Sequence, residues 1–115
     1  ILCAVPMTSR ALRKRGLNQS VFIARFISRA LGIPLWAALL KKTRHTDQQS
    51  TLSAKHRQSN LAGAFACKRH LHGQHVVLID DILTTGATAN EISKTLKAAG
   101  AARVDLWACA RTARS

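Results

Sequence analysis

Tyrosine is absent from this 115-residue chain, and three Phe with two Trp bring the aromatics to only 4%. So few rings argue against a stacking platform for single-stranded nucleic acid. Trp36 and Trp107 are expected in the core. No apolar run approaches the roughly 20 residues of a membrane helix, and Ile1 to Val5 lacks the charged flank and cleavage site of a signal peptide. The expected compartment is the cytoplasm. Cys3, Cys67 and Cys109 are odd in number, far apart and without C-x-x-C spacing, so a disulfide framework is excluded and buried reduced thiols are expected. Pro/Gly/Ser-rich tracts, repeats and linkers are also missing, which leaves one ordered domain over residues 1–115. Because Ile1 sits inside an apolar run, the chain is expected to be a fragment of a longer protein.

Acid is the scarcest chemistry of all. Five Asp and Glu face 18 Lys and Arg, a formal net charge of +13. From Ile1 to Ile79 there are 13 cations and one acid, Asp47, whereas Asp80 to Ser115 carries 5 cations against 4 acids. The first two-thirds must meet an anion, either the phosphates of a small ligand or a nucleic-acid backbone, or else tolerate its own repulsion.

Periodicity gives the layout. Ile1 to Met7 reads as a buried strand, followed by a basic loop. Asn18 to Leu31 reads as a helix capped by Asn18, with Ile23, Phe26, Ile27 and Ala30 on one face. A strand is expected at Leu35 to Leu40, a long polar loop or marginal helix at Lys41 to Asn60, and strands at Ala64 to Cys67 and His75 to Ile79 joined by a turn. Thr88 to Ala99 is the best-signalled helix, with Thr88 and Glu91 at capping-box spacing and Gly100 as its stop. Val104 to Ala110 closes the chain as a strand. Strands alternating with helices imply an α/β fold with a mostly parallel sheet, and ligands then bind at the carboxyl ends of the strands.

One segment carries chemistry. Val76 to Thr88 runs from four apolar residues through Asp80 and Asp81 into Thr84-Thr85-Gly86-Ala87-Thr88 and a helix. Successive N–H groups and the positive end of a helix make an anion site there, and Gly86 lets the backbone come close. The two acids stand where vicinal sugar hydroxyls would donate to them, so a monophosphate beside a diol describes ribose 5-phosphate. No G-x-x-x-x-G-K occurs, which argues against a P-loop triphosphate site. His70, His72 and His75 lack a neighbouring acid or cysteine and are read as a surface turn rather than a metal site.

VVLIDDILTTGAT resembles the PRPP-binding signature of type I phosphoribosyltransferases. Arg13-Lys14-Arg15-Gly16-Leu17-Asn18-Gln19 resembles a block of their ComF/GntX-like (competence protein F-like) branch. Thr46, Gln49, Leu52, Arg57, Asn60 and Gly63-Ala64-Phe65 fall at a further spacing of that branch. Thr8, where the branch repeats a proline, and Leu17, where it has Phe, depart from the pattern. Members commonly carry a zinc-binding segment ahead of this domain, which accords with the expectation that the chain is a fragment of a longer protein.

The resemblance implies a Rossmann-like sheet flanked by helices and transfer of ribose 5-phosphate from PRPP to a nitrogen nucleophile. In that reading Asp80 and Asp81 are catalytic and reach Mg2+ indirectly, through PRPP and water. Thr84, Thr85, Gly86, Ala87 and Thr88 bind the 5′-phosphate. The loop from Met7 to Gly16 binds pyrophosphate with Arg13, Arg15, Gly16 and Asn18, and a hood loop contributes Arg44, Gln49, Arg57 and Asn60. Partners are PRPP and a nitrogenous acceptor, with no membrane, and a homodimer is compatible. Thr84, standing where hypoxanthine-type enzymes carry an acid, disfavours a purine held in their manner. The alternatives are a PRPP-sensing regulator without turnover and a nucleic-acid-associated accessory protein of DNA uptake.

Overall fold

The structure is a computed structural model that describes residues 1–43, 61–83 and 85–111. Its centre is a parallel sheet in the order β1 (Leu2–Ala4), β4 (His75–Leu83), β5 (Arg103–Arg111). Val76 and Leu78 point to one face of β4, Val77 and Ile79 to the other, and all four are buried. A strand apolar on both sides needs a layer on each. Helix α3 (Ala87–Ala98) provides one with Ile92 and Leu96, packed with Cys3, Val76 and Leu78. Helix α2 (Gln19–Leu31) provides the other, where Ala24, Ile23 and Ile27 meet Leu2, Ala4, Val77 and Ile79. A separate antiparallel pair, β2 (Leu40–Lys42) with β3 (Phe65–Cys67), lies beside α3.

Several boundaries differ from those read in the sequence. The expected basic loop is mostly a helix, α1 (Ser9–Arg15). Thr8 Oγ1 accepts from the Ala11 amide at 3.1 Å and Gly16 closes the helix in the left-handed conformation. A run of good helix formers between those two caps explains it. The strand expected at Leu35 to Leu40 is broken: Leu35 makes only an isolated bridge to Leu2, a turn follows, and pairing resumes at Leu40. β3 and β4 belong to different sheets, because buried Leu71 anchors their connection to the end of α3, its amide donating to Ala99 O at 2.8 Å.

The faces also need correction. Phe26 is 72% exposed and Phe22 63%, since α2 packs through the narrower row that includes small Ala24 and Ser20. Trp107 is 40% exposed, and Cys109 is exposed on the same strand, on the face of β5 that α2 does not cover. Of the three thiols only Cys3 is buried, and that burial pushes its pKa up to about 12.

Ile79→Ala is expected to destabilise the fold by about 2–5 kcal/mol through the cavity it leaves. Phe26→Ser, on the solvent side of α2, should stay within about 0.5 kcal/mol of the parent. Urea unfolding of both variants checks the assignment of the helix face.

Candidate functional site

The carboxyl ends of β1 and β4, the start of α3 and the inner side of the β2–β3 pair enclose a cleft of about 230 Å3. Val5 and Pro6 close one side. Asp80, Ile82 and Leu83 line it from β4, Gly86, Thr88 and Ala89 from the helix end, and Lys42 with Phe65 from the β2–β3 pair.

β4 does not stop at Ile79. It continues through both acids to Leu83 because β5 runs alongside, pairing Asp80 with Ala108 and Ile82 with Ala110. The acids are thereby fixed on a strand rather than left in a loop. Asp81 Oδ1 accepts from the Ile82 amide at 2.9 Å. The half-buried Asp80 carboxyl has its pKa raised from 3.8 to about 6, first by burial, then by the hydrogen bond and negative charge of Asp81. Two like charges this close, partly removed from water, favour keeping a proton.

After the strand, Gly86 adopts φ 81° and caps α3, with Ala87 and Thr88 as the first helical residues. Thr85 Oγ1 accepts from the Ala87 amide at 3.3 Å. The capping box expected between Thr88 and Glu91 does not form, because the helix begins one residue before Thr88 and Gly86 supplies the cap. Glu91 accepts instead from the Gly63 amide at 3.4 Å. The first-turn amides of α3 have no carbonyl within the helix to meet, and Gly86, Thr88 and Ala89 at that end line the cleft. Thr84 lies outside the described residues.

The residues assigned to pyrophosphate are not among those that line this cleft, although Asn18 bonds to its lining residue Val5. Arg13 and Arg15 stand exposed on α1, and Gly16 is that helix's C-cap. Asn18 is occupied within the fold: Oδ1 accepts from the Ser20 and Val21 amides at 3.0 and 3.4 Å, and Nδ2 donates to Val5 O at 3.2 Å. Folding of the expected loop into α1 accounts for the arginines, and Asn18 is engaged because it caps α2, as its place before the helical period predicts. Arg44, Gln49, Arg57 and Asn60 lie outside the described residues.

Lys42 fell within the basic stretch Lys41 to Arg57 without being singled out by sequence, and it is the cation among the described residues that line the cleft. Its Nζ lies 5.8 Å from the Phe65 ring centroid. The available signal was the short apolar approach through Leu39 and Leu40, which makes Lys42 a strand residue rather than part of a solvated run.

A profile described as "Phosphoribosyl transferase domain" matches residues 17–114. The chain is 39% identical over 110 residues to competence protein F of Haemophilus influenzae, covering 93% of this chain and 48% of that protein. It is 38% identical over 111 residues to DNA utilization protein YhgH of Escherichia coli strain K12, covering 96% and 49%. The same protein of Salmonella typhimurium is 37% identical over the same shares. The chain thus spans about half the length of these relatives. Among the described residues no helix is long and apolar enough to cross a membrane.

A raised carboxyl pKa means the folded state holds the Asp80 proton more tightly than the unfolded chain does. The stability this gives is fully present below pH 3.8 and is lost as pH rises through about 6. Urea unfolding of the unliganded protein should therefore show stability declining across that window, and Asp80→Asn should flatten the decline.

Proposed function

The chain belongs to the phosphoribosyl transferase domain family, in its competence protein F-like branch, and from that premise we propose that it binds PRPP in this cleft and transfers ribose 5-phosphate to a nitrogen nucleophile, releasing pyrophosphate. The observation that carries the reading is the juxtaposition in one cleft of Asp80, whose carboxyl Asp81 abuts, with the Gly86–Thr88 helix end. The 5′-phosphate accepts from the amides of Thr85 to Thr88. The ribose hydroxyls donate to the two carboxylates, which requires Asp80 ionised and so a pH above about 6.

Negative charge grows on pyrophosphate as the bond to C1 breaks, and a cation placed across the cleft stabilises that state more than the ground state. Lys42, which lines the same cleft, is the residue proposed for it. The exposed cations of α1 add a longer-range positive field that raises the local concentration of the anionic substrate. Asp80 and Asp81, with no third His, Cys, Asp or Glu grouped around them among the described residues, suit Mg2+, which keeps most of its ligands as water and phosphate. When bound, the ion would neutralise pyrophosphate charge. Reduced thiols and the phosphorylated substrate accord with a cytoplasmic site of action.

Calorimetry with PRPP tests the site, and pyrophosphate release with a panel of amines and bases tests turnover. Gly86→Asp should abolish PRPP binding by placing a carboxylate in the cradle, without loss of fold. Asp80→Asn with Asp81→Asn should weaken PRPP far more than inorganic phosphate. Equal losses for both ligands would point to disruption of the loop and refute the ribose assignment.

A second reading, nucleic-acid binding, has its own observation. Phe22 and Phe26 stand exposed one helical turn apart on α2, beside exposed Arg25 and Arg29. The scarcity of aromatics predicted no stacking surface, yet two of the three phenylalanines are displayed to solvent and flanked by cations. The printed names of the relatives refer to competence and DNA utilization. Rings on a convex helix face suit bases that stack without a groove.

Under this reading a labelled oligothymidylate binds the full-length protein with log affinity falling about 0.7 per phosphate neutralised against log salt. Phe22→Ala with Phe26→Ala should weaken it by at least about tenfold, from stacking worth about 1–3 kcal/mol per base, while PRPP affinity holds. Oligonucleotide binding indifferent to both rings would remove this surface.

A further inference from the structure

We propose that Glu91, which does not line the cleft, is a positioning residue that fixes the β2–β3 pair, and with it Lys42 and Phe65, at a set distance from the phosphate cradle; this rests on the PRPP reading of the cleft. The cleft has two halves that come from different parts of the chain. One is the β4–α3 junction. The other is the wall formed by Lys42 and Phe65, which are register partners in the antiparallel pair. A ligand that spans the cleft feels any change in the spacing of these halves.

Burial of Leu61, Ala64 and Phe65 holds the pair in the core that α3 also joins. Apolar packing is non-directional, however, and does not by itself determine where along the helix the pair sits. A directed chain of hydrogen bonds supplies that register. Glu91 Oε1, in the second turn of α3, accepts from the Gly63 amide at 3.4 Å. Thr43 Oγ1 donates to Gly63 O at 3.3 Å and to Ala64 O at 3.0 Å, and the Thr43 amide donates to Ala64 O at 2.6 Å. Thr43 directly follows Lys42. The path from Glu91 through Gly63 and Thr43 thus joins the helix whose first turn faces the phosphate to the strand that carries the cation.

Two features support a fixed link. The Glu91 side chain is only 22% exposed, and its second carboxylate oxygen lies 4.0 Å from Lys94 Nζ. Gly63 holds φ 70°, a conformation that presents its amide to Glu91 and that other residues adopt with strain. Glu91 also stands three residues beyond Thr88, so its helix cannot shift against the β2–β3 pair without moving the cradle too.

The test uses the full-length protein with PRPP, pyrophosphate and ribose 5-phosphate as separate probes in calorimetry. Glu91→Leu should weaken PRPP and pyrophosphate by about tenfold, the scale of one hydrogen bond to a charged group. Ribose 5-phosphate, held by the cradle and the acids alone, should change by less than about twofold. Glu91→Gln keeps an acceptor oxygen and should restore parental affinities, a rescue that loss of side-chain packing would not predict. Thr43→Val interrupts the same path one step further on and should reproduce the Leu pattern even if Glu91→Leu folds poorly.

Equal loss for all three probes, no loss for any, or failure of Gln to rescue would each overturn the proposal. If the parent protein binds none of the probes, the PRPP reading fails by itself. Hydrogen exchange at the Gly63 amide then decides the link: faster exchange in Glu91→Leu upholds the contact, and unchanged exchange refutes it.

Discussion

Everything at the site depends on four apolar residues, Val76 to Ile79, being covered on both faces of one strand. Alternating side chains commit Val76 and Leu78 to the α3 side and Val77 and Ile79 to the α2 side. Slipping the register by a single residue would exchange the two sets, so the end of β4 is placed as firmly as its middle. The acids follow directly on the buried run and inherit its precision. Their strand ends where both covering layers end, at the open side of the sheet.

That location carries an electrostatic cost. Asp80 is close enough to the core to resist ionisation and close enough to Asp81 to resist it further. A protein selected for stability alone would place asparagine or a small residue here. Retaining two adjacent carboxylates half out of water is the kind of local disadvantage found where a group must act on a ligand. Lys42 lines the same cleft but belongs to the other sheet, so acid and cation share it only when the fold is complete.

Much of the fold was legible in the sequence, for reasons that can be named. Val76 to Ile79 is apolar without interruption, Asn18 precedes a helical period, and Gly32 and Gly100 follow ones; these are local signals acting where packing agrees with them. The α1 helix was not legible because Thr8 and Ser9 before a run of cations read equally well as a polar turn. The solvent side of α2 was misjudged since a phenylalanine scores as core wherever it falls, and only tertiary structure shows that the small residues Ser20 and Ala24 form the close approach. In the site, Asp80, Asp81 and Gly86 were visible as a linear motif. That Lys42, Phe65 and Pro6 join them was not, because they reach the cleft by folding rather than by proximity in the chain.

The parallel sheet ends at β5, whose outer side pairs with no strand among the described residues. A nine-residue open edge invites a second molecule to add its own strand. Two copies of β5 meeting about a two-fold axis would run antiparallel, and a register centred on Trp107 would set Arg103 of one against Arg111 of the other. Both ends of such a ladder would then bring like charges together, which disfavours cross-strand pairing. The arginines at the two ends of β5 therefore weigh against that two-fold pairing of edges, next to the exposed Trp107 and Cys109 on the same strand.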